Sequence, residues 1–99
     1  MKFEAYAPNT ETTDTLNVNA AAENPQTLRD SVEIAMRNYF SHLDGQEITN
    51  VHQMVLNEVE APMLEAVMRY CRDNQTKASK VLGLNRGTLR KKLKQYGLL

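Results

Sequence analysis

The chain has 99 residues, with 12 basic and 12 acidic side chains and a formal net charge of zero. This length allows one small domain, and the single cysteine, Cys71, excludes an internal disulfide. The chain lacks a signal-peptide pattern and any apolar run of about 18 residues, so we predict a cytoplasmic protein without a membrane partner.

The charge is strongly polarised along the chain. Residues 1–68 carry three cations and eleven carboxylates, whereas residues 69–99 carry nine cations and a single carboxylate, that of Asp73. A basic region of this length is typical of a surface that binds a polyanion, and the acidic part limits indiscriminate binding.

Residues 1–26 contain Ala, Asn and Thr with two prolines and few large apolar groups, so we predict a flexible N-terminal arm. Its segment "TTDTLNVNAAA", residues 12–22, alternates weakly between apolar and polar positions. An edge strand, as in a β-hairpin, and disorder both remain open for this segment.

Two amphipathic helices are predicted in residues 27–72. The first, in "TLRDSVEIAMRNYFSHLDG", begins with a capping box of Thr27 and Asp30 and ends at Gly45. The second runs from about 49 to 72, and Pro62 should kink it without ending it, because the apolar rhythm continues in phase. Their apolar positions are Leu28, Val32, Met36, Tyr39 and Leu43 in the first helix, and Val51, Val55, Leu56, Val59, Met63, Val67 and Tyr70 in the second.

The two apolar stripes are wider than one short hairpin can cover, and roughly 70 residues without a disulfide or metal fold marginally alone. We therefore predict an all-α homodimer in which two such helices from each subunit form a four-helix core. Four methionines and Cys71 are interpreted as core side chains, the methionines being Met36, Met54, Met63 and Met68. The two histidines, His42 and His52, have no partners at metal-ligand spacing, so no metal or other cofactor is predicted.

Residues 73–99 include "DNQTKASKVLGLNRGTLRKKLKQYG", which predicts a helix-turn-helix. Asn74 caps the first helix, Gly83 ends it, and Asn85 caps the second. The inner faces should present Ala78, Val81, Leu82, Leu89 and Leu93. Gly87, Lys91 and Lys94 then lie on the opposite side of the second helix, with Thr88 and Arg90 at its edges. Stacking aromatics are missing from this face, which favours duplex DNA over unpaired strands.

These segments, together with "LRDSVEIAMRNYFSHLDGQE" and "LNEVEAPMLEAVMRY", resemble the bacterial Fis family, factors for inversion stimulation, from about Leu28 to the end of the chain. NtrC-type activators carry a similar DNA-binding region, but on much longer chains. The resemblance implies a nucleoid-associated homodimer that bends DNA, regulates transcription and assists recombination. It implies base-edge contacts by Asn85, Arg86 and Lys91, and DNA-backbone contacts by Asn74, Thr76, Thr88, Arg90 and Lys92. Of these, Lys92 falls nearer the core side of the helical wheel and must reach around the helix by its long stem. We predict from its outward position that Gly87 permits close approach of the DNA backbone.

The chain departs from the family in two places. The span between "DTLNVNA" and "LRD" is several residues shorter than in the family's β-hairpin arm, which argues against contact with a DNA invertase. The loop before the helix-turn-helix reads Arg72-Asp73-Asn74 where the family usually has Arg-Gly-Asn. Contact with the alpha C-terminal domain of RNA polymerase through Arg72 and Asp73 is therefore a weakened expectation.

One alternative function is a helical interaction module whose basic pole docks an acidic protein. The absence of carboxylates from the second helix of the helix-turn-helix, together with Gly87, argues against it. Enzymatic activity is less favoured still, because paired carboxylates, a Cys-His arrangement and a phosphate-binding glycine loop are all missing from a plausible pocket context, and no catalytic residue is predicted.

Overall fold

The computed structural model describes residues 16–19 and 26–99, and in this part of the chain the prediction of an all-α protein is confirmed. The four helices found there are α1 (Leu28–Ser41), α2 (Val51–Tyr70), α3 (Gln75–Leu82) and α4 (Arg86–Gln95). The chain divides into two compact units, 1–47 and 48–99, which are described separately. Among the described residues, no helix is both long enough and apolar enough to cross a lipid bilayer.

In the first unit, residues 16–19 lie beside the start of α1. The backbone N–H of Val18 donates to the carbonyl of Gln26 at 2.6 Å, and the N–H of Leu28 donates to the carbonyl of Leu16 at 3.0 Å. These bonds flank a single antiparallel bridge between Asn17 and Thr27. The rest of the predicted arm lies outside the described residues, so its flexibility and a hairpin both stay predictions.

The predicted capping box of α1 is confirmed. The Thr27 hydroxyl accepts from the N–H of Asp30, and the Asp30 carboxylate accepts from the N–H of Thr27. The predicted end at Gly45 is wrong, because the helix ends at Ser41. There the Ser41 hydroxyl donates to the carbonyl of Asn38 at 2.9 Å, a local bond that competes with the next helical turn.

Helix α1 is amphipathic but contains no buried residue. Ile34 and Phe40 are 43% and 47% exposed, and Tyr39 stacks edge-on against Phe40 with ring centroids 5.6 Å apart. Within one chain, the apolar surface of this helix therefore remains accessible to water.

In the second unit, α2 continues through Pro62, as predicted. It ends in a Schellman motif, in which the N–H of Asp73 donates to the carbonyl of Met68 at 2.8 Å. Arg72 and Asp73 take left-handed conformations, with φ of 53° and 63°. Such a conformation costs a non-glycine residue roughly 1 kcal/mol, which aspartate tolerates better than most residues.

The core of the second unit joins three helices. It is formed by Leu64, Met68 and Cys71 from the end of α2, Ala78 from α3, and Leu89 and Leu93 from α4. The second half of α2 thus supports the helix-turn-helix, and the predicted boundary between 72 and 73 lies inside this unit. The burial predicted for Cys71 is confirmed, but Val81 is 51% exposed, so its predicted place on the inner face of α3 is wrong.

Candidate nucleic-acid interface

Helices α3 and α4 form the predicted helix-turn-helix. The Asn74 side chain accepts from the N–H of Lys77 at 3.0 Å and caps α3. Gly83 ends α3 with φ of 77°, and the N–H of Leu84 donates back to the carbonyl of Ser79. Asn85 then caps α4 by accepting from the N–H of Thr88 at 2.8 Å. Asn74 therefore fixes the start of α3, and the left-handed Gly83 with the Asn85 cap sets the turn between α3 and α4, as the sequence predicts.

The inward face of α4 is fixed by two leucines. Leu89 is 0% exposed and Leu93 is 1% exposed. The outward face forms an open depression lined by Asn85, Gly87, Thr88, Arg90, Lys91 and Lys94. The helical wheel drawn from the sequence placed five of these six residues on or at the edges of that face, so its geometry is confirmed. We call these six residues the α4 outer face.

Gly87 lies near the start of the α4 outer face, and because it has no side chain, nothing protrudes from the face at this position. A β-carbon added to Gly87 would lie 3.6 Å from the side-chain oxygen of Asn85, an ordinary van der Waals distance. Alanine would therefore fit the free protein, and the helix itself does not require glycine here. A requirement for glycine must come from whatever approaches this face.

Several cations on and beside this face have no carboxylate partner in the part of the chain that the structure describes. Among the described residues, no ion pair involves Arg86, Lys91 or Lys94. Arg90 donates to the side-chain oxygen of Gln75 at 3.3 Å, which links α4 to α3 and leaves the positive charge unbalanced. A surface with this charge distribution attracts polyanions.

Asn85 has both a structural bond and a free donor. Its side-chain oxygen is the cap of α4, so the amide NH₂ group is the part available to an incoming acceptor. Arg86 occupies the first helical position and is exposed. These two side chains thus lie in the first turn, where recognition helices meet base edges.

Lys92 lies away from the α4 outer face. Its ammonium group donates to both carboxylate oxygens of Glu60 on α2, at 3.0 and 3.2 Å, and the Tyr96 hydroxyl donates to the same carboxylate at 2.7 Å. The hydroxyl of Tyr96 and then the ammonium of Lys92 lower the pKa of Glu60, while the bond to the carboxylate raises the pKa of Tyr96. We call Glu60, Lys92 and Tyr96 the α2–α4 clasp.

The remaining predicted contact residues lie in the α2–α3 turn and at the start of α3. Thr76 is exposed in the first turn of α3, beside the capping residue Asn74. Arg72 and Asp73 are exposed in the turn itself, where both backbones are left-handed. Nearby, the Lys77 ammonium lies 5.6 Å from the ring centroid of Tyr70.

Sequence reasoning missed the α2–α4 clasp. Glu60 and Lys92 are 32 residues apart, on different helices, and no local spacing connects them. The only available signal was that Lys92 falls on the core side of the helical wheel, which makes a partner from another helix necessary if its charge is to be balanced.

Comparisons with known proteins agree with this layout. The family described as "DNA-binding protein Fis N-terminal domain" matches residues 1–48, and "Bacterial regulatory protein, Fis family" matches residues 55–96. A "Putative Fis-like DNA-binding protein" of Pseudomonas aeruginosa PAO1 is 72% identical over 74 residues, which are 75% of this chain and 71% of the relative. The "DNA-binding protein Fis" of Aeromonas hydrophila is 55% identical over 84 residues, 85% of this chain and 86% of the relative, and that of Aeromonas salmonicida gives the same figures.

Proposed function

The chain belongs to the Fis family of DNA-binding proteins, and from that premise we propose that it binds and bends duplex DNA as a nucleoid-associated regulator of transcription. The observation that carries the proposal is the α4 outer face, which is exposed and basic and has a glycine at its start. Phosphate groups would supply the negative charge that the described residues lining this face lack.

We assign the contacts as follows. Arg86 and Lys91 donate to base edges, and Asn85 does so through the amide group that its capping bond leaves free. The DNA backbone is contacted by Asn74, Thr76, Thr88, Arg90 and Lys92. Gly87 lets the sugar-phosphate backbone approach the helix closely.

A homodimer is part of the proposal because α1 carries apolar side chains that one chain leaves exposed. Two copies that share α1 and the first half of α2 would bury this surface and present two α4 helices to one duplex. As in the family, those helices would lie too close for successive major grooves of straight DNA, so the duplex must bend. Site choice then depends partly on the deformability of a centre that the protein barely touches.

Two further roles follow from the family, contact with RNA polymerase and assistance of site-specific recombination. The exposed turn at Arg72 and Asp73 is proposed to contact the alpha C-terminal domain of RNA polymerase, and its left-handed backbone supports this, because Asp73 takes a conformation that a glycine would take. Assistance of site-specific recombination depends on the N-terminal arm, whose short span gives this role the weakest support.

Binding and bending can be tested together on circularly permuted duplex fragments over a series of salt concentrations. We expect mobility to depend on the position of the site, and affinity to fall steeply as salt rises because bound cations release counterions from DNA. If binding is tight but mobility does not depend on the position of the site, the proposal of DNA binding stands and the proposal of bending is wrong. A flat response to salt, or no binding to duplex, would overturn the proposed function, and a protein partner recovered after nuclease treatment would then favour the interaction module.

A further inference from the structure

In the α2–α4 clasp, Lys92 has two candidate anionic partners, the Glu60 carboxylate and a DNA phosphate. Lys92 is one of the cations of the basic region, yet its ammonium group is held by both oxygens of the Glu60 carboxylate. The side chains are only 30% and 16% exposed, so water screens this pair less than it screens an exposed pair. A phosphate contact by Lys92 would have to be made at the expense of Glu60.

We infer that Glu60 competes with DNA phosphate for Lys92, so that the clasp restrains α4 in the free protein and opens when duplex DNA is bound. The inference rests on the proposed function and concerns a positioning residue that lies outside the α4 outer face. Glu60 acts on DNA affinity through Lys92 and touches no DNA itself.

The geometry makes this exchange of partners feasible in two ways. Lys92 neighbours Lys91 of the α4 outer face, and its flexible four-carbon stem allows the ammonium to reach around the helix. When it leaves, Glu60 keeps one strong partner, because the Tyr96 hydroxyl donates to it at 2.7 Å. The partly buried carboxylate is therefore not left without a hydrogen bond, which would carry a large penalty.

The Glu60 carboxylate is charged under the conditions in which DNA binding would take place. The pKa of Glu60 is lowered, by the Tyr96 hydroxyl first and the Lys92 ammonium second, so the carboxylate carries its charge throughout the neutral range. Both competitors for Lys92, the carboxylate and the phosphate, are then anions, and their relative strength decides the affinity.

The test compares Glu60→Gln with Glu58→Gln in the full chain. Both variants remove one negative charge from α2, but Glu58 is exposed and no ion pair involves it among the described residues. We expect Glu60→Gln to bind a Fis-type site and a random duplex about two- to fivefold more tightly than Glu58→Gln, the range that corresponds to loss of a weak ion pair. The same variant should unfold at a lower urea concentration, since it loses the clasp.

A second cycle identifies Lys92 as the cation involved. Lys92→Ala should weaken binding to both duplexes and lower the slope of log affinity against log salt by about 0.9, the value for one phosphate contact in duplex DNA. Glu60→Gln should leave that slope unchanged in the otherwise native chain. In the Lys92→Ala background, Glu60→Gln should add nothing beyond the effect of Glu58→Gln.

Equal affinity of the two glutamine variants, or tightening that persists without Lys92, would overturn the inference while leaving DNA binding intact. If Glu60→Gln fails to fold, the native chain provides the test through the carboxyl ¹³C resonances of its glutamates at pH 7. The Glu60 resonance should shift when duplex is added, because its ammonium partner leaves, and the Glu58 resonance should not. An unmoved Glu60 resonance would contradict the exchange, whereas failure of the native chain to bind duplex would contradict the proposed function instead.

Discussion

Helices α1 and α4 are both amphipathic, but they bury their apolar faces differently. Helix α4 places Leu89 and Leu93 in a core completed by α2 and α3 of the same chain, whereas α1 buries no residue. The second unit, residues 48–99, which we call the DNA-binding unit, therefore has a core made of side chains from one chain. The apolar face of α1 stays accessible to water within one chain, and periodicity alone does not distinguish these two situations.

The largest effect should come from removing a core side chain of the DNA-binding unit. Leu93→Ala is expected to lower the free energy of unfolding by about 3 kcal/mol, since it removes buried methyl groups and leaves a cavity. Urea denaturation followed by circular dichroism measures the change. Val81→Ala is the matched control, because Val81 is half-exposed on α3 and should cost under about 0.5 kcal/mol. Equal losses in both variants would mean that the core is not where the structure places it.

Placing a charge on the apolar face of α1 tests whether this face forms the proposed dimer interface. Met36→Asp, in the middle of its apolar stripe, should weaken self-association by about 2 kcal/mol, or roughly thirtyfold, because a carboxylate would have to be buried with the partner's apolar surface. Sedimentation equilibrium over a range of protein concentrations measures this. Asn38→Asp adds the same charge on the other side of the helix. A dimer equally stable in both variants would exclude α1 from the interface.

The two functions of Asn85 can be separated by substitution. Asn85→Ala removes the cap of α4 and should cost about 1 kcal/mol of stability, measured by urea denaturation. Asn85→Ser keeps a capping oxygen and removes the amide donors, so stability should be nearly native while sequence preference falls. Preference is measured as the ratio of affinities for a specific and a random duplex. If Asn85→Ser retains the native ratio, Asn85 is a cap and reads no base.

Local features of the fold were predictable because their causes are local. The capping box at Thr27, the left-handed turn at Gly83 and the inward leucines of α4 each depend on residues within a turn or two of one another. The predictions failed where residues far away in the sequence determine burial or pairing. Val81 follows the apolar pattern of α3 but lies outside the core that α2 and α4 define. The clasp joins Glu60 and Lys92, which are 32 residues apart and which no local spacing connects.

At Gly87 in α4, the stability of the free protein and the affinity for DNA are expected to favour different residues. In the free protein a β-carbon would meet only the Asn85 side chain, at 3.6 Å, so Gly87→Ala should raise the stability by about 0.5 to 1 kcal/mol through its higher helix propensity. On DNA, the added methyl group would stand between α4 and the backbone, and affinity should fall for specific and random duplexes alike. Urea denaturation and duplex titration on one preparation measure both effects. Opposite signs would show that the glycine serves the complex and not the fold, whereas unchanged affinity in a stabilised protein would remove close approach as its reason.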